Sequence, residues 1–160
     1  MTGTSESHPG QHARLGGDAE RVCTTAVARP EAVGELRREM ANYAEQAGAS
    51  QVACEAVALA VSEAVTNVVM HAYVGGAPGV VVAEAWTDSN GHLVLTVCDE
   101  GRGMVPRADS PGLGLGIPLM AQMADDLHVA SRGELPGTMV SLRFTLDGSG
   151  ANVRADGVTA

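Results

Sequence analysis

One long, mostly apolar stretch, residues 50–73, constrains the fold of this chain more than any other feature. Ser50 is a favourable N-cap, and we predict a single helix from there to the end of the stretch. Glu63, Asn67 and His71 stand four residues apart, and because four residues turn about 400°, successive members drift by only about 40°. They form a polar stripe on a helix whose other residues favour burial. Such a stripe faces either a polar site or solvent, and the helix alone leaves both open.

The remaining elements follow an order that indicates an α+β fold. Pro30 and the apolar spacing after it predict a helix to residue 48, and a third helix is predicted over residues 115–126. Residues 88–91 are a hairpin signal. Apolar and β-branched runs predict strands over residues 21–28, 80–86, 93–98, 127–131 and 138–146. We therefore predict a sandwich in which helices cover one face of an antiparallel or mixed sheet.

The two ends of the chain differ in composition from its middle. Residues 1–17 and 148–160 hold almost no large apolar side chains, so we expect two disordered tails around one domain of residues 18–147. No signal-peptide core is apparent and no apolar run approaches about 18 residues, which favours a cytoplasmic protein without a membrane span. The three cysteines are widely spaced and are expected to be small, buried thiols rather than disulfide partners or zinc ligands.

The charge of the chain excludes several kinds of site. A net charge of −9 and an aromatic content of 2% are unsuited to binding nucleic acid or anionic lipid. All ten basic residues are arginine, and the absence of lysine excludes a Walker A loop and the lysine-dependent protein-kinase fold. A nucleotide site in this chain must therefore attract phosphate through a metal ion or backbone N–H groups.

Two short segments that contain glycine lie at the ends of predicted strands. One follows a strand, at residues 99–103, and the other begins the last strand, at residues 137–138. Asp99 ends an apolar strand, and a carboxylate there can accept a hydrogen bond from the exocyclic amine of a purine. Gly101 and Gly103 let the backbone turn sharply and approach a flat ligand closely. Gly137-Thr138 opens the last strand. Alone, the Asp99 segment is a weak signal and is more typical of a plain turn.

A third segment runs into the third predicted helix. Glycines before a helix N-terminus expose backbone N–H groups and the positive end of the helix dipole, which suits phosphate. The spacing differs from the Gly-x-Gly-x-x-Gly of dinucleotide-binding loops, so the segment alone is a weak signal. Its residues are Gly112, Leu113, Gly114, Leu115 and Gly116.

Together and in this order, the segments resemble the GHKL superfamily of ATPases and kinases. The stretch from Glu63 to Asn67 resembles its N box, residues 99–103 its first glycine box and residues 112–116 its second. The sequence motif Ser-Glu-Ala-Val-Thr-Asn-x-x-x-His-Ala-Tyr is similar to that of bacterial anti-sigma-factor serine kinases. Members of that family phosphorylate a small anti-sigma-factor antagonist and sequester a sigma factor. The resemblance covers about residues 19–146. It implies a two-layer α/β sandwich of the Bergerat type with a mixed sheet, and ATP and Mg²⁺ as cofactors.

The resemblance also implies a role for individual residues. Glu63 would be the catalytic base for a serine hydroxyl. Asn67 would hold Mg²⁺, which prefers oxygen ligands. Asp99 would accept from the adenine amine, with Thr138 close to the base. The two glycines of the first box would lie against the base, and residues 112–116 would surround the β- and γ-phosphates.

The lid between the glycine boxes departs from the pattern of many relatives. Residues 104–111 form a short lid with one basic residue, Arg107, and Arg102 stands just before the lid. Phosphoryl transfer usually needs cationic charge at the γ-phosphate beyond the metal, and either arginine is a candidate for that contact. Two other functions therefore stay open, a regulatory module that binds ATP and sequesters a partner without phosphotransfer, and the catalytic half of a sensor histidine kinase. The latter needs a phospho-accepting histidine on an upstream helix, and only His8 and His12 of the polar tail precede residue 50. The resemblance further suggests a homodimer.

Overall fold

A computed structural model describes residues 21–103 and 116–147. The expectations for both tails, for the lid and for residues 112–115 lie outside these ranges. These ranges contain three α-helices, α1 (Pro30–Gln46), α2 (Gln51–Asn67) and α3 (Gly116–Met123), and α2 continues into a π-helical turn over Val68–Ala72. The strands are β1 (Val22–Val27), β2 (Val80–Thr87), β3 (His92–Asp99), β4 (Asp126–Ser131) and β5 (Thr138–Thr145). Each predicted helix and strand that falls in the described ranges is confirmed.

The five strands form one sheet in the order β1-β2-β3-β5-β4. Each neighbouring pair is antiparallel, so within the described residues the sheet is antiparallel rather than mixed. The short turns that join β2 to β3 and β4 to β5 impose this direction on those two pairs. At the first of them, Asp88 Oδ1 accepts hydrogen bonds from the backbone N–H groups of Asn90 and His92, which confirms the predicted hairpin.

The core lies between one face of the sheet and the three helices. Alternate strand residues face the helices because side chains of a strand point to opposite faces in turn. Aliphatic side chains fill most of this layer, as the scarcity of aromatic residues requires, and the buried residues of this core include one aromatic side chain, Phe144. The side chains that are almost completely buried include Leu36, Met40, Val57, Val61, Val65, Val81, Leu95, Val97 and Leu142.

The central helix α2 contacts α1, α3, β3 and β5. Ser50 caps it as predicted, because its Oγ accepts from the N–H of Ala53 at 3.2 Å, and the Ser50 N–H donates to the Leu146 carbonyl at 2.7 Å. The 22-residue helix Gln51–Ala72 contains an 18-residue window with a mean hydropathy of 1.6, so by length and composition alone it could cross a membrane. Its apolar face is part of the core, which accounts for that composition.

The expectation that all three cysteines are buried thiols is wrong in part. All three are free thiols, as predicted, but none is fully buried. Cys23 is exposed because β1 is an edge strand, and its side chain lies opposite Glu84 on the face of the sheet away from the helices. Burial is the main cause that raises the pKa of the Cys98 thiol on β3, so this thiol stays protonated at neutral pH.

Candidate functional site

Glu63 and Asn67, the first two members of the polar stripe, lie beside the first residue of α3. A Cβ atom built on Gly116 would lie 3.1 Å from Glu63 Oε2 and 3.5 and 3.6 Å from Nδ2 and Oδ1 of Asn67. Both side chains are half-buried. These two members of the stripe therefore face the N-terminal turn of a neighbouring helix, which favours the polar-site alternative over plain exposure to solvent.

The atoms gathered at Gly116 suit a hard cation together with an anion. An amide oxygen of Asn67 and a carboxylate oxygen of Glu63 are ligands of the kind that Mg²⁺ prefers. Within residues 21–103 and 116–147, no cluster of three or more His, Cys, Asp or Glu side chains could hold a metal ion. A cation here would thus take further ligands from a bound phosphate or from water, as Mg²⁺ commonly does. The N-terminal N–H groups of α3 are suited to the same phosphate.

The π-helical turn at the end of α2 brings that helix against the first glycine segment. In a π turn the hydrogen bonds run from residue i to residue i+5, which shifts the phase of the helix after Asn67. The carbonyl oxygen of Ala72 accepts from the N–H of Arg102 at 3.0 Å. A Cβ on Gly101 would overlap this same carbonyl group. Gly101 is therefore needed where two backbone segments meet, whatever ligand lies nearby.

Asp99 is a buried carboxylate at the end of β3, with 5% of its surface exposed. Its Oδ1 accepts from the N–H of Gly101 at 2.8 Å, and the backbone of Thr138 also donates to the carboxylate. Burial raises the pKa of this carboxyl group, and the two backbone donors and the charge of Arg132 offset part of the rise. A buried acceptor held in a fixed orientation is what a contact with one edge of a base requires.

The start of β5 completes the surroundings of Asp99. Thr138 is 5% exposed and pairs with Ser131 of β4. Gly137 adopts a φ of +107°, in the region that favours glycine, and a Cβ there would overlap the carbonyl group of Asp99. The position of a Cβ on Gly103 lies 3.8 Å from the Gly137 carbonyl oxygen. The residues predicted to lie near the base thus form one cluster between β3, β5 and the first glycine segment.

Two residues for which the sequence predicted no role, Tyr73 and Arg132, hold this cluster in place. Tyr73 Oη accepts from the N–H of Glu100 at 2.9 Å and donates to the Val80 carbonyl at 2.6 Å. The guanidinium of Arg132 donates to the Asp99 carbonyl oxygen at 3.3 Å and lies 3.7 Å from the Glu100 carboxylate. The partners of these contacts lie 27 and 33 residues apart in the sequence, so no local pattern could have revealed them.

The structure therefore brings the predicted residues into two groups joined by α2. One group is Glu63, Asn67 and Gly116, and the other surrounds Asp99. Arg102, a second arginine near the lid, has Nη2 3.7 Å from the Cβ position of Gly75, so it lies at the loop after α2. The predicted contacts of Arg107, Gly112, Leu113, Gly114 and Leu115 lie outside the described residues.

Comparisons of the chain with known sequences agree with this arrangement. Residues 26–144 match the model of the histidine kinase-like ATPase domain. An anti-sigma F factor of Heyndrickxia coagulans is 33% identical over 94 residues, which are 52% of this chain and 63% of that protein. An anti-sigma F factor of Halalkalibacterium halodurans is 37% identical over 102 residues, 57% of this chain and 68% of that protein. The first of these matches spans less than two thirds of the relative's length.

Solved structures show the same fold. The structure of the RsbU and RsbW domains of a Mycobacterium tuberculosis protein superposes with a TM-score of 0.62 at 20% identity, covering 79% of this chain and 32% of that one. The histidine kinase domain of a blue-light-activated kinase from Erythrobacter litoralis gives a TM-score of 0.52 at 26% identity, covering 71% of this chain and 59% of that one. Both are matched over parts of longer chains.

Proposed function

The chain belongs to the histidine kinase-like ATPase domain family, and from that premise we propose that it is an anti-sigma factor and a Mg-ATP-dependent serine kinase. Its protein substrate would be a small anti-sigma-factor antagonist, and its second partner a sigma factor that it sequesters in the cytoplasm. The names of the relatives from Heyndrickxia coagulans and Halalkalibacterium halodurans support the anti-sigma assignment. We further propose that it acts as a homodimer and contacts neither nucleic acid nor membrane.

The observation that carries the kinase proposal is the meeting of Glu63, Asn67 and Gly116. A protein that only bound nucleotide would need a metal ligand and phosphate donors, but it would not need a proton acceptor beside them. Glu63 Oε2 lies 3.1 Å from the Cβ position of the first residue of α3, next to the N–H groups that suit a phosphate. That is the location at which a base could meet a hydroxyl group directed at the terminal phosphate.

The residues divide the chemistry between them. Mg²⁺, when bound to the Asn67 amide oxygen, supplies positive charge next to the phosphates. Glu63 accepts the proton of the attacking serine hydroxyl as its oxygen forms a bond to the γ-phosphorus and the bond to the β-phosphate oxygen breaks. Asp99 accepts from the adenine amine, and Thr138 lies beside it. The N-terminal N–H groups of α3 orient the phosphate chain.

Removal of the proton acceptor tests the proposal. Glu63→Gln keeps the shape of the side chain, and we expect it to retain ATP binding while phosphotransfer falls about 10²-fold or more. The matched control is Glu55→Gln, the same change on the exposed side of the same helix, where Glu55 accepts from the Gln51 amide at 2.9 Å. Mass spectrometry of a candidate antagonist after incubation with Mg-ATP gives the transfer rate. Wild-type transfer by Glu63→Gln would exclude Glu63 as the base.

The competing proposal is a module that binds ATP and sequesters a partner without phosphotransfer. The short lid, with Arg107 as its one basic residue, favours this alternative because phosphoryl transfer usually needs cationic charge beyond the metal. The same mass-spectrometric assay separates the two functions. If ATP binds and no phosphoserine forms on any cognate antagonist, the sequestering module is the correct function.

A further inference from the structure

The hydroxyl group of Tyr73 is held from two sides at the end of the central helix. It donates to the Val80 carbonyl oxygen at 2.6 Å and accepts from the Glu100 N–H at 2.9 Å. The ring lies against Gly79, where a Cβ atom would overlap it. Burial is the main cause that raises the pKa of this hydroxyl, so it stays protonated and remains a donor at neutral pH.

Tyr73 and its neighbour form a clasp between the two groups of site residues. Ala72 accepts from the Arg102 N–H through its carbonyl oxygen, and Tyr73 accepts from the Glu100 N–H through its hydroxyl. The two bonds attach the segment that directly follows Asp99 to the helix that carries Asn67. They lie on either side of Gly101, whose N–H is already bonded to the Asp99 carboxylate.

We propose that Tyr73 is a positioning residue for the nucleotide, which fixes the buried Asp99 carboxylate relative to Asn67. Asp99 and Asn67 act on opposite ends of one ATP molecule in the proposed function, and this inference rests on that function. Their separation must therefore match the length of the nucleotide. Tyr73 sets it by holding Glu100, the residue after Asp99, against the end of the same helix, and it touches neither end of the nucleotide itself.

The test compares ATP with inosine triphosphate, which has a carbonyl in place of the adenine amine. Tyr73→Phe keeps the ring and removes the hydroxyl. We expect the affinity for Mg-ATP, measured by calorimetric titration, to fall about fivefold to tenfold, as for the loss of ordinary hydrogen bonds. The affinity for Mg-ITP, which cannot donate to Asp99, should change less than about twofold. Tyr43→Phe removes the same atom from α1 and is expected to leave the ratio of the two affinities unchanged.

Two further measurements test the role of Tyr73 even if Tyr73→Phe loses stability. Gly79→Ala retains the hydroxyl but its methyl group would displace the ring, so it should lower the preference for ATP in the same way. Amide hydrogen exchange at Glu100 should accelerate in Tyr73→Phe without nucleotide, since that N–H loses its acceptor.

The outcomes separate this inference from the proposed function. A wild-type protein that binds no ATP overturns both. If the wild type prefers ATP and Tyr73→Phe keeps that preference, or loses affinity for both nucleotides equally, ATP binding stands and the positioning role of Tyr73 is wrong.

Discussion

Substitution of Gly101 by alanine tests why glycine is needed at this position. The need arises either from packing against the protein backbone or from contact with a bound nucleotide. The family resemblance assigns Gly101 to the surroundings of the base, whereas the structure places the Cβ position of this residue on the carbonyl group of Ala72. The carbonyl carbon and oxygen belong to the backbone, and neither can rotate away as a flexible side chain would. Gly101→Ala must therefore move the glycine segment away from the end of α2, even in the absence of nucleotide.

The added methyl group disturbs both the packing and one hydrogen bond at this junction. Insertion of a methyl group into a closely packed region costs about 1–3 kcal/mol. Separation of the two segments also breaks the bond from the Arg102 N–H to the Ala72 carbonyl, which contributes about 1 kcal/mol. The free energy of unfolding should thus fall by about 2–4 kcal/mol, and the Tm by about 10 °C for a domain of this size.

Scanning calorimetry of the nucleotide-free protein measures this change, and Gly34→Ala is the control. Gly34 lies inside α1, and the space within 4 Å of its Cβ position is open. Alanine there should raise the free energy of unfolding by about 0.5–1 kcal/mol, because it restricts the unfolded chain and favours the helix. If Gly101→Ala has the Tm of the wild type without nucleotide and loses only ATP affinity, the packing explanation is refuted.

Three other predictions concern the two groups of site residues. Asn67→Ala should stay folded and lose most Mg-ATP affinity in a calorimetric titration; unchanged affinity removes Asn67 from the metal site. ATP should bind at least about tenfold more tightly than GTP, because the guanine carbonyl faces the Asp99 carboxylate and unpaired polar groups cost about 1–3 kcal/mol; equal competition by GTP contradicts this contact. The pKa of Asp99 in the folded state lies above its ordinary value of 3.8. At a pH between the ordinary pKa and the raised pKa, the folded state therefore binds more protons than the unfolded state. The contribution of Asp99 to the free energy of unfolding thus falls as pH rises through that window. Urea unfolding across the window should show this slope in the wild type and lose it in Asp99→Asn.

The elements of the fold could be predicted from sequence because their signals are local. Ser50 and Pro30 begin helices through their own capping and backbone chemistry, and the turn at Asp88 closes through bonds to residues two and four positions away. Apolar residues at helical spacing predicted α1 in the same way. Such features depend on few neighbours, so the observed bounds lie within a few residues of those predicted.

The order of the strands and the π turn could not be predicted in this way. Pairing of β3 with β5, which leaves β4 at the edge, depends on contacts between distant parts of the chain. The π turn ends where the Ala72 carbonyl meets the glycine segment, a tertiary contact that has no signature in the helix itself. Antiparallel pairing throughout the described sheet, in place of the mixed sheet implied by the resemblance, is likewise a property of the whole sheet.

The same distinction explains why the sequence identified the residues expected to touch a ligand and missed those that hold them. Glu63, Asn67 and Asp99 stand out because a polar side chain in an apolar element needs a reason. Tyr73 and Arg132 do not stand out, since a tyrosine or an arginine near a loop is ordinary in any protein. Yet each bonds to the backbone of Asp99 or of the residue after it, and both do so across more than 25 residues of sequence. The accuracy of the site therefore depends on contacts that only the folded chain creates, and substitutions at these supporting positions should change nucleotide selectivity before they remove binding.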